Sequence, residues 1–239
     1  MGRIITFATG NIYKWSEEDN INELLDYIKP LDIDGVELTF AYIERLFKFE
    51  LSNENIEYLQ SLEYNTIHAP FNMTTGAKDI NEIYKQLDYI KELYDKINAH
   101  NVIIHPRVVP GPVMLGKYDM KCSTENMPPK HVVPLPELKS IMRENPDMGF
   151  CLDVTHAYQI SPLESQIYYH EFKERITQFH LSGSKDGRGH LQLKPCKADF
   201  FRSLDPIHNS DVPIVIEEIF DEKNLDLLKE EIEYVRYMF

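Results

Sequence analysis

Phe150-Cys151-Leu152-Asp153 is a short apolar run that ends on a carboxylate, and the same pattern recurs along the chain. Its residues suit a buried strand. Alternation puts Cys151 and Asp153 on one face and Leu152 and Val154 on the other. Seven further runs read the same way: Ile4 to Ala8, Gly35 to Phe40, Tyr64 to His68, Val102 to His105, Lys121 to Glu125, Ile176 to Leu181 and Pro213 to Glu217. His68, His105, Glu125, His180 and Glu217 stand at or near the ends of five of them. Amphipathic segments predicted as helices lie between: Trp15 to Ile28 opened by Ser16, Asn53 to Leu62, Ile80 to Ala99, Pro136 to Arg143, Leu163 to Arg175 and Leu225 to Tyr237. The Pro- and Gly-containing stretch from Pro106 to Tyr118 is too broken for a regular helix. Strands separated by crossovers must pair in parallel, so the chain is expected to form an α/β (β/α)8 TIM barrel as a single domain over residues 1–239. No Gly-rich phosphate fingerprint follows the first strand, which argues against a doubly wound dinucleotide fold.

Composition narrows the function. With 239 residues, 43% of them hydrophobic, the chain can bury one full core. Its net charge of -14 opposes gripping a duplex, which calls for a basic face. A locally basic cleft around Arg107, Lys185 and Arg188 keeps nucleic acid as a disfavoured alternative. The N-terminus has no basic segment followed by a signal-length apolar run, and the longest apolar stretches are strand-sized, so a cytoplasmic protein without a membrane span is expected. Cys122, Cys151 and Cys196 cannot all pair and lack zinc-ribbon spacing. Cys122 and Cys151, in predicted strands, read as buried free thiols.

In a barrel, catalytic groups gather at the C-terminal rim of the strands. If Glu217 points inward, Glu218 points away; if His180 points inward, Phe179 and Leu181 pack outward. Glu125, Asp153, His180 and Glu217 then share one lumen, where three uncompensated carboxylates would repel one another. A divalent cation (Mn²⁺, Mg²⁺ or Zn²⁺) removes that penalty. His68 and His105 read either as hydrogen-bonded core residues or, with Glu125 as a bridge, as ligands of a second ion. His156 and His190 could hold a third ion, orient a substrate or act as acid and base. Glu37 on the second strand is expected either to touch substrate or to form an outward ion pair. His100, His131, His170 and His208 lie away from strand ends and read as structural.

The segments Ile67-His68-Ala69-Pro70-Phe71, Ile104-His105-Pro106, Thr124-Glu125-Asn126, Leu152-Asp153-Val154-Thr155-His156-Ala157, Phe179-His180-Leu181-Ser182, Gly189-His190-Leu191 and Pro213-Ile214-Val215-Ile216-Glu217 resemble, in order, the motifs of the xylose isomerase-like superfamily. That group includes endonuclease IV and the sugar (phosphate) isomerases and epimerases, and the resemblance spans residues 64–218. It implies a TIM barrel with its site in the C-terminal mouth. Glu125, Asp153, His180 and Glu217 match the metal quartet shared by isomerases and nucleases. His68 and His105, with a bridging Glu125, match the ligands of one zinc of the nuclease cluster, and His156 and His190 match ligands of its third zinc. The chain departs from the nuclease pattern at Arg188, which stands where the motif has an aspartate, and at Lys194, Pro195 and Cys196, which replace its Gly-rich tail.

Two enzymes fit this reading. In a sugar or sugar phosphate isomerase or epimerase, one metal would stabilise an enediolate while Glu125 and Glu217 move the proton, His156 polarises the carbonyl and Arg188 binds a phosphate or hydroxyl. In an endonuclease IV-like phosphoesterase, two or three zinc ions would generate hydroxide for in-line displacement. A barrel that binds metal or ligand without turnover is the third alternative. Charge and size favour the isomerase, and the extra histidines favour the hydrolase. The small-molecule enzyme is the preferred expectation.

Overall fold

Every predicted run contributes a strand in the computed structural model, which describes residues 2–17 and 20–239. The strands are β1 (Ile5–Ala8), β2 (Gly35–Thr39), β3 (Asn65–His68), β4 (Ala99–Ile103), β5 (Cys122–Glu125), β6 (Gly149–Asp153), β7 (Ile176–Leu181), β8 (Gly183–Lys185), β9 (Arg188–Leu191) and β10 (Ile214–Ile216). Eight of them close a barrel in the order β1-β10-β7-β6-β5-β4-β3-β2, with parallel neighbours throughout. β8 and β9 form a separate antiparallel hairpin. The helices are α1 (Ile21–Ile28), α2 (Ile43–Lys48), α3 (Asn53–Gln60), α4 (Ile80–Lys96), α5 (Pro112–Leu115), α6 (Leu135–Glu144), α7 (Val154–Ile160), α8 (Glu164–Phe172), α9 (Ala198–Arg202), α10 (Asp205–His208) and α11 (Leu225–Met238). Among the described residues, no helix is long and apolar enough to cross a membrane.

The pleat sorts side chains into two layers. Leu152, Val154, Phe179, Leu181, Ile214 and Ile216 join the apolar core, which occupies the space between strands and helices. Polar residues of the other parity fill the lumen, where Asn101 donates to Thr177 and Gln178 and accepts from Ser123. β2 can approach β3 this closely only because residue 35 is glycine: a Cβ there would lie 1.6 Å from the Tyr64 carbonyl oxygen.

Most boundaries shift by a few residues, and three of the shifts have a clear local reason. The first helix begins after Asn20, whose side chain accepts from the Asn22 backbone N–H. Trp15 instead ends a 3-10 segment (Thr9–Trp15), where its indole donates to the Phe220 carbonyl at 2.7 Å. Residues 18 and 19 of that predicted helix, and residue 1, lie outside the described residues. The helix predicted to run to Ala99 stops at Lys96, because Asn98 takes a left-handed backbone (φ 52°) and Ala99 already belongs to β4. His105 lies two residues past its strand, since Pro106 offers no N–H to extend the ladder. The hairpin has no counterpart among the predicted elements, although Asp186-Gly187 is a turn pair with both residues at positive φ (53° and 80°).

Candidate metal centre

Asp153 ends β6 and also caps α7. Its Oδ1 accepts from the His156 backbone N–H at 2.7 Å, which leaves Oδ2 free to face the lumen. Asn126 clamps the strand end, donating to the Asp153 carbonyl (2.7 Å) and accepting from the Asp153 N–H (2.9 Å). This places the His156 ring beside the carboxylate, with Nδ1 3.0 Å from Oδ2 and 3.1 Å from the Asn126 carbonyl.

Glu125, at the end of β5, divides its two oxygens between two sets of partners. Oε1 lies 2.7 Å from His105 Nε2 and 3.5 Å from His68 Nε2. Oε2 lies 3.3 Å from His180 Nδ1, which is also 3.3 Å from Glu217 Oε2. Strand register carries His180 to this level, since it pairs with Asp153 on one side and Val215 on the other. The hairpin brings His190 in from the side, with Nδ1 2.8 Å from the Glu217 carbonyl and a left-handed backbone (φ 55°). Phe71 stacks on His105, with ring centroids 4.8 Å apart.

Glu125 Oε2, Asp153 Oδ2, His180 Nδ1 and Glu217 Oε2 are buried and make no hydrogen bond. These atoms come from the four residues expected to form the quartet, and their chemistry fits a divalent cation: hard carboxylate oxygens and a borderline imidazole. Candidate ligand atoms lie within 4.8 Å of one another in four overlapping groups: His68, His105 and Glu125; His68, His180 and Glu217; Glu125, Cys151 and His180; and Glu125, Asp153 and His156. Glu125 joins three of the four.

The electrostatics follow from this crowding. Burial alone would raise Glu125, but His105, His180 and His68 hold it well below the usual carboxylate range. Glu217 is likewise lowered against its burial, by His180 and His190. Burial opposes charge on His68, yet Glu125, Glu37 and Glu217 push it up to about 9. His180 is raised well above its ordinary value against the same opposition, by Cys151, Glu37 and Glu217. His105 is lowered, with burial outweighing Glu125, and Asp153 is raised chiefly by burial. Glu125 and Glu217 on one side and His68 and His180 on the other thus favour one another's charged forms.

Two cavities open on this rim. One, of about 410 Å³, includes His68, His105, Glu125, His156, His190 and Glu217 in its lining. The other, of about 470 Å³, meets it at Phe71, His190 and Glu217. Asp153 and His180 lie beneath them, fully buried. Two residues expected to contact substrate stand elsewhere. Arg188 is exposed on the hairpin and lines neither cavity, as is Lys185; of the three basic residues expected to form a cleft, only Arg107 lines the first cavity. Glu37 is wholly buried below His180 and is likewise absent from both linings. Conversely, His131, read as structural, lines the first cavity, because the 3-10 turn Pro129–His131 after β5 folds back over the mouth. Asn126 and Phe71 also border the site, and both sit within three residues of a strand-end candidate ligand, Glu125 and His68.

The chain matches no protein-family profile and no curated protein. Its structure resembles an endonuclease IV from Thermus thermophilus (17% identity, 99% of each chain covered, TM-score 0.66). It also resembles a 3-keto-D-glucoside 4-epimerase from E. coli (13% identity, 99% of this chain and 100% of the other, TM-score 0.64). A third similar structure is a xylose isomerase domain containing protein from Salmonella typhimurium (16% identity, 97% and 96%, TM-score 0.66). The fold is that of the xylose isomerase-like TIM barrels, as the ordered motifs implied.

Proposed function

We propose that this chain is a divalent-metal-dependent enzyme that isomerises or epimerises a small sugar or sugar phosphate. The observation that carries the reading is the set of four buried atoms without hydrogen bonds: Glu125 Oε2, Asp153 Oδ2, His180 Nδ1 and Glu217 Oε2. They lie at the base of a mouth of small-molecule size, about 410 Å³. These four side chains would hold the cation, which would supply electrophilic polarisation of adjoining carbonyl and hydroxyl oxygens. Glu125, on β5, and Glu217, just past β10, face the cavity from strands three places apart around the closed sheet. In this reading one takes a proton from the carbon beside the carbonyl and the other returns it. His156 orients a substrate oxygen at the rim, and Arg107 supplies a cation there for a phosphate. The related fold of a sugar epimerase supports the assignment.

A second reading rests on the group of His68, His105 and Glu125, whose ligand atoms lie within 4.8 Å of one another, and on the His156 and His190 rings, 5.3 Å apart. With Glu125 as a bridge, these residues suit a multinuclear zinc phosphoesterase, and the similarity to an endonuclease IV favours it. The net charge of -14 and the distance of Arg188 and Lys185 from the mouth oppose it. The test is metal counting on protein purified without added metal, alongside assays of ketose interconversion with Mn²⁺ and of abasic-site duplex cleavage. One ion per chain with ketose turnover is expected. Two or more zinc ions, with cleavage lost in Glu125→Gln, would overturn the isomerase.

A further inference from the structure

One layer below the quartet, the carboxylate of Glu37 is fully buried in the barrel lumen. Its Oε2 accepts from Thr66 Oγ1 at 2.8 Å and from Gln178 Nε2 at 3.0 Å. Gln178 cannot turn over without loss, because its Oε1 accepts from Asn101 and from the Tyr64 hydroxyl, both at 3.3 Å. Oε1 of Glu37 has no hydrogen bond, and none of the contacts of this carboxylate is a lysine or arginine. A buried carboxylate in that position is costly unless a charged or strongly polar donor meets it. Among the described residues, the nitrogen that does so from the layer above is His180 Nε2, 3.3 Å from Oε1 and 3.4 Å from Oε2.

The two edges of the His180 ring therefore face different surroundings. Nε2 faces Glu37, while Nδ1 faces Glu125 and Glu217 at 3.3 Å each. Gln178 Nε2 donates one N–H to Glu37 and lies 3.1 Å from His180 Nε2, a contact in which its other N–H could donate only if Nε2 carried the lone pair. The acceptor-only carboxylate of Glu37, within 3.3 and 3.4 Å of the same nitrogen, favours the proton on Nε2 instead. An imidazole that ligates a metal needs a lone pair on the ligating nitrogen and a proton on the other. We infer that Glu37 is a positioning residue: it accepts the Nε2 proton of His180 and so fixes the tautomer and ring orientation that aim the Nδ1 lone pair into the quartet. This rests on the reading of His180 as a ligand. Its complete burial and its absence from the lining of both cavities set Glu37 apart from residues that could touch a substrate there. Thr66 and Gln178 hold the carboxylate in register, because β3 pairs Thr66 directly with Glu37.

Two neutral replacements separate this role from simple loss of charge. Glu37→Gln keeps an acceptor oxygen for the Nε2 proton, whereas Glu37→Leu removes it, and both delete the same charge. Zn²⁺ affinity would be measured by chelator competition, and the His180 ring nitrogens of Zn²⁺-loaded protein by ¹⁵N NMR. Glu37→Leu is expected to weaken Zn²⁺ binding by about 10–100-fold and to lose the Nε2–H signal of a single tautomer. Glu37→Gln is expected to retain most of the affinity and the signal. Equal weakening in both, or in neither, overturns the inference. His180→Ala is the control on the underlying reading: if it binds Zn²⁺ as tightly as the parent, His180 is not a ligand and the reading itself fails. Should Glu37→Leu not fold, Thr66→Val removes one of the donors that fix Glu37; it is expected to weaken Zn²⁺ binding several-fold, and unchanged affinity there overturns the inference equally.

Discussion

Glu217 and Glu218 are adjacent carboxylates at the end of β10, and their surroundings drive them in opposite directions. Glu217 points into the lumen, where burial would raise it but His180 and His190 lower it below the usual range. Glu218 points into the layer under α11, fully buried, where burial and the charge of Glu231 raise it well above 4.5. Glu231 in turn has its Oε1 occupied by the Leu193 N–H at 2.7 Å. One residue of chain separates a carboxylate whose ionised form is favoured by imidazoles from one whose neutral form is favoured by burial beside another carboxyl. The pleat, which turns successive side chains to opposite faces, creates the difference, and the identity of the residue plays no part in it.

The largest expected effect is on the lumen side. Glu217→Gln deletes a charged ligand atom and is expected to lower turnover by at least about 10³-fold, with Mn²⁺ or Zn²⁺ affinity falling in parallel. A variant that keeps parental metal affinity would remove Glu217 from the quartet. Next comes the pH dependence of stability, read by thermal unfolding of chelator-treated protein. Glu125 and Glu217 are depressed, so their contribution is present above about 4.5 and is lost as pH falls. His68 is raised to about 9, so its contribution is complete below about 6.5 and is lost as pH rises through 9. Glu218 is also raised, and it adds to the alkaline loss because it must ionise in an apolar setting. Glu218→Gln should therefore be near neutral at pH 5 and raise the melting temperature by a few degrees at pH 8, about 2–4 °C per kcal/mol for a chain of this size. An identical alkaline slope in parent and variant would mean that Glu218 and Glu217 do not differ as described. The smallest effect is expected for Arg188→Ala, under about threefold in KM, because the side chain is exposed and lines neither cavity. A tenfold rise would show that the hairpin closes over substrate.

The parity of this pair is legible in the sequence, because alternation in a buried strand needs no knowledge of partners. The same holds for the barrel and for the quartet, whose members each stand at or within one residue of a strand end. Glu37 is not legible in the same way: it also sits on a strand, but its function depends on His180, 143 positions away, and on how deep in the lumen each residue lies. Depth is fixed by register across the closed sheet, which no local pattern encodes. Arg188 misleads for a related reason, since its distance from the mouth follows from the hairpin, whose one local sign is the Asp186-Gly187 turn. His131 ends no strand and so carries no signal of its own, yet the 3-10 turn after β5 carries it back to the rim.

That hairpin differs in kind from everything else around the centre. Among the described residues its two strands pair with each other and with no barrel strand, and one tie to the barrel end is the His190 carbonyl, which accepts from the Ile219 N–H at 2.9 Å. It nonetheless delivers His190, through a left-handed backbone, to the edge of both cavities. The mouth thus has one wall set by the barrel strands and one set by a hairpin outside their ladder. Exchange of residues 183–191 for a longer or shorter hairpin would therefore reshape the edge of both cavities without touching the strands that carry Glu125, Asp153 and His180.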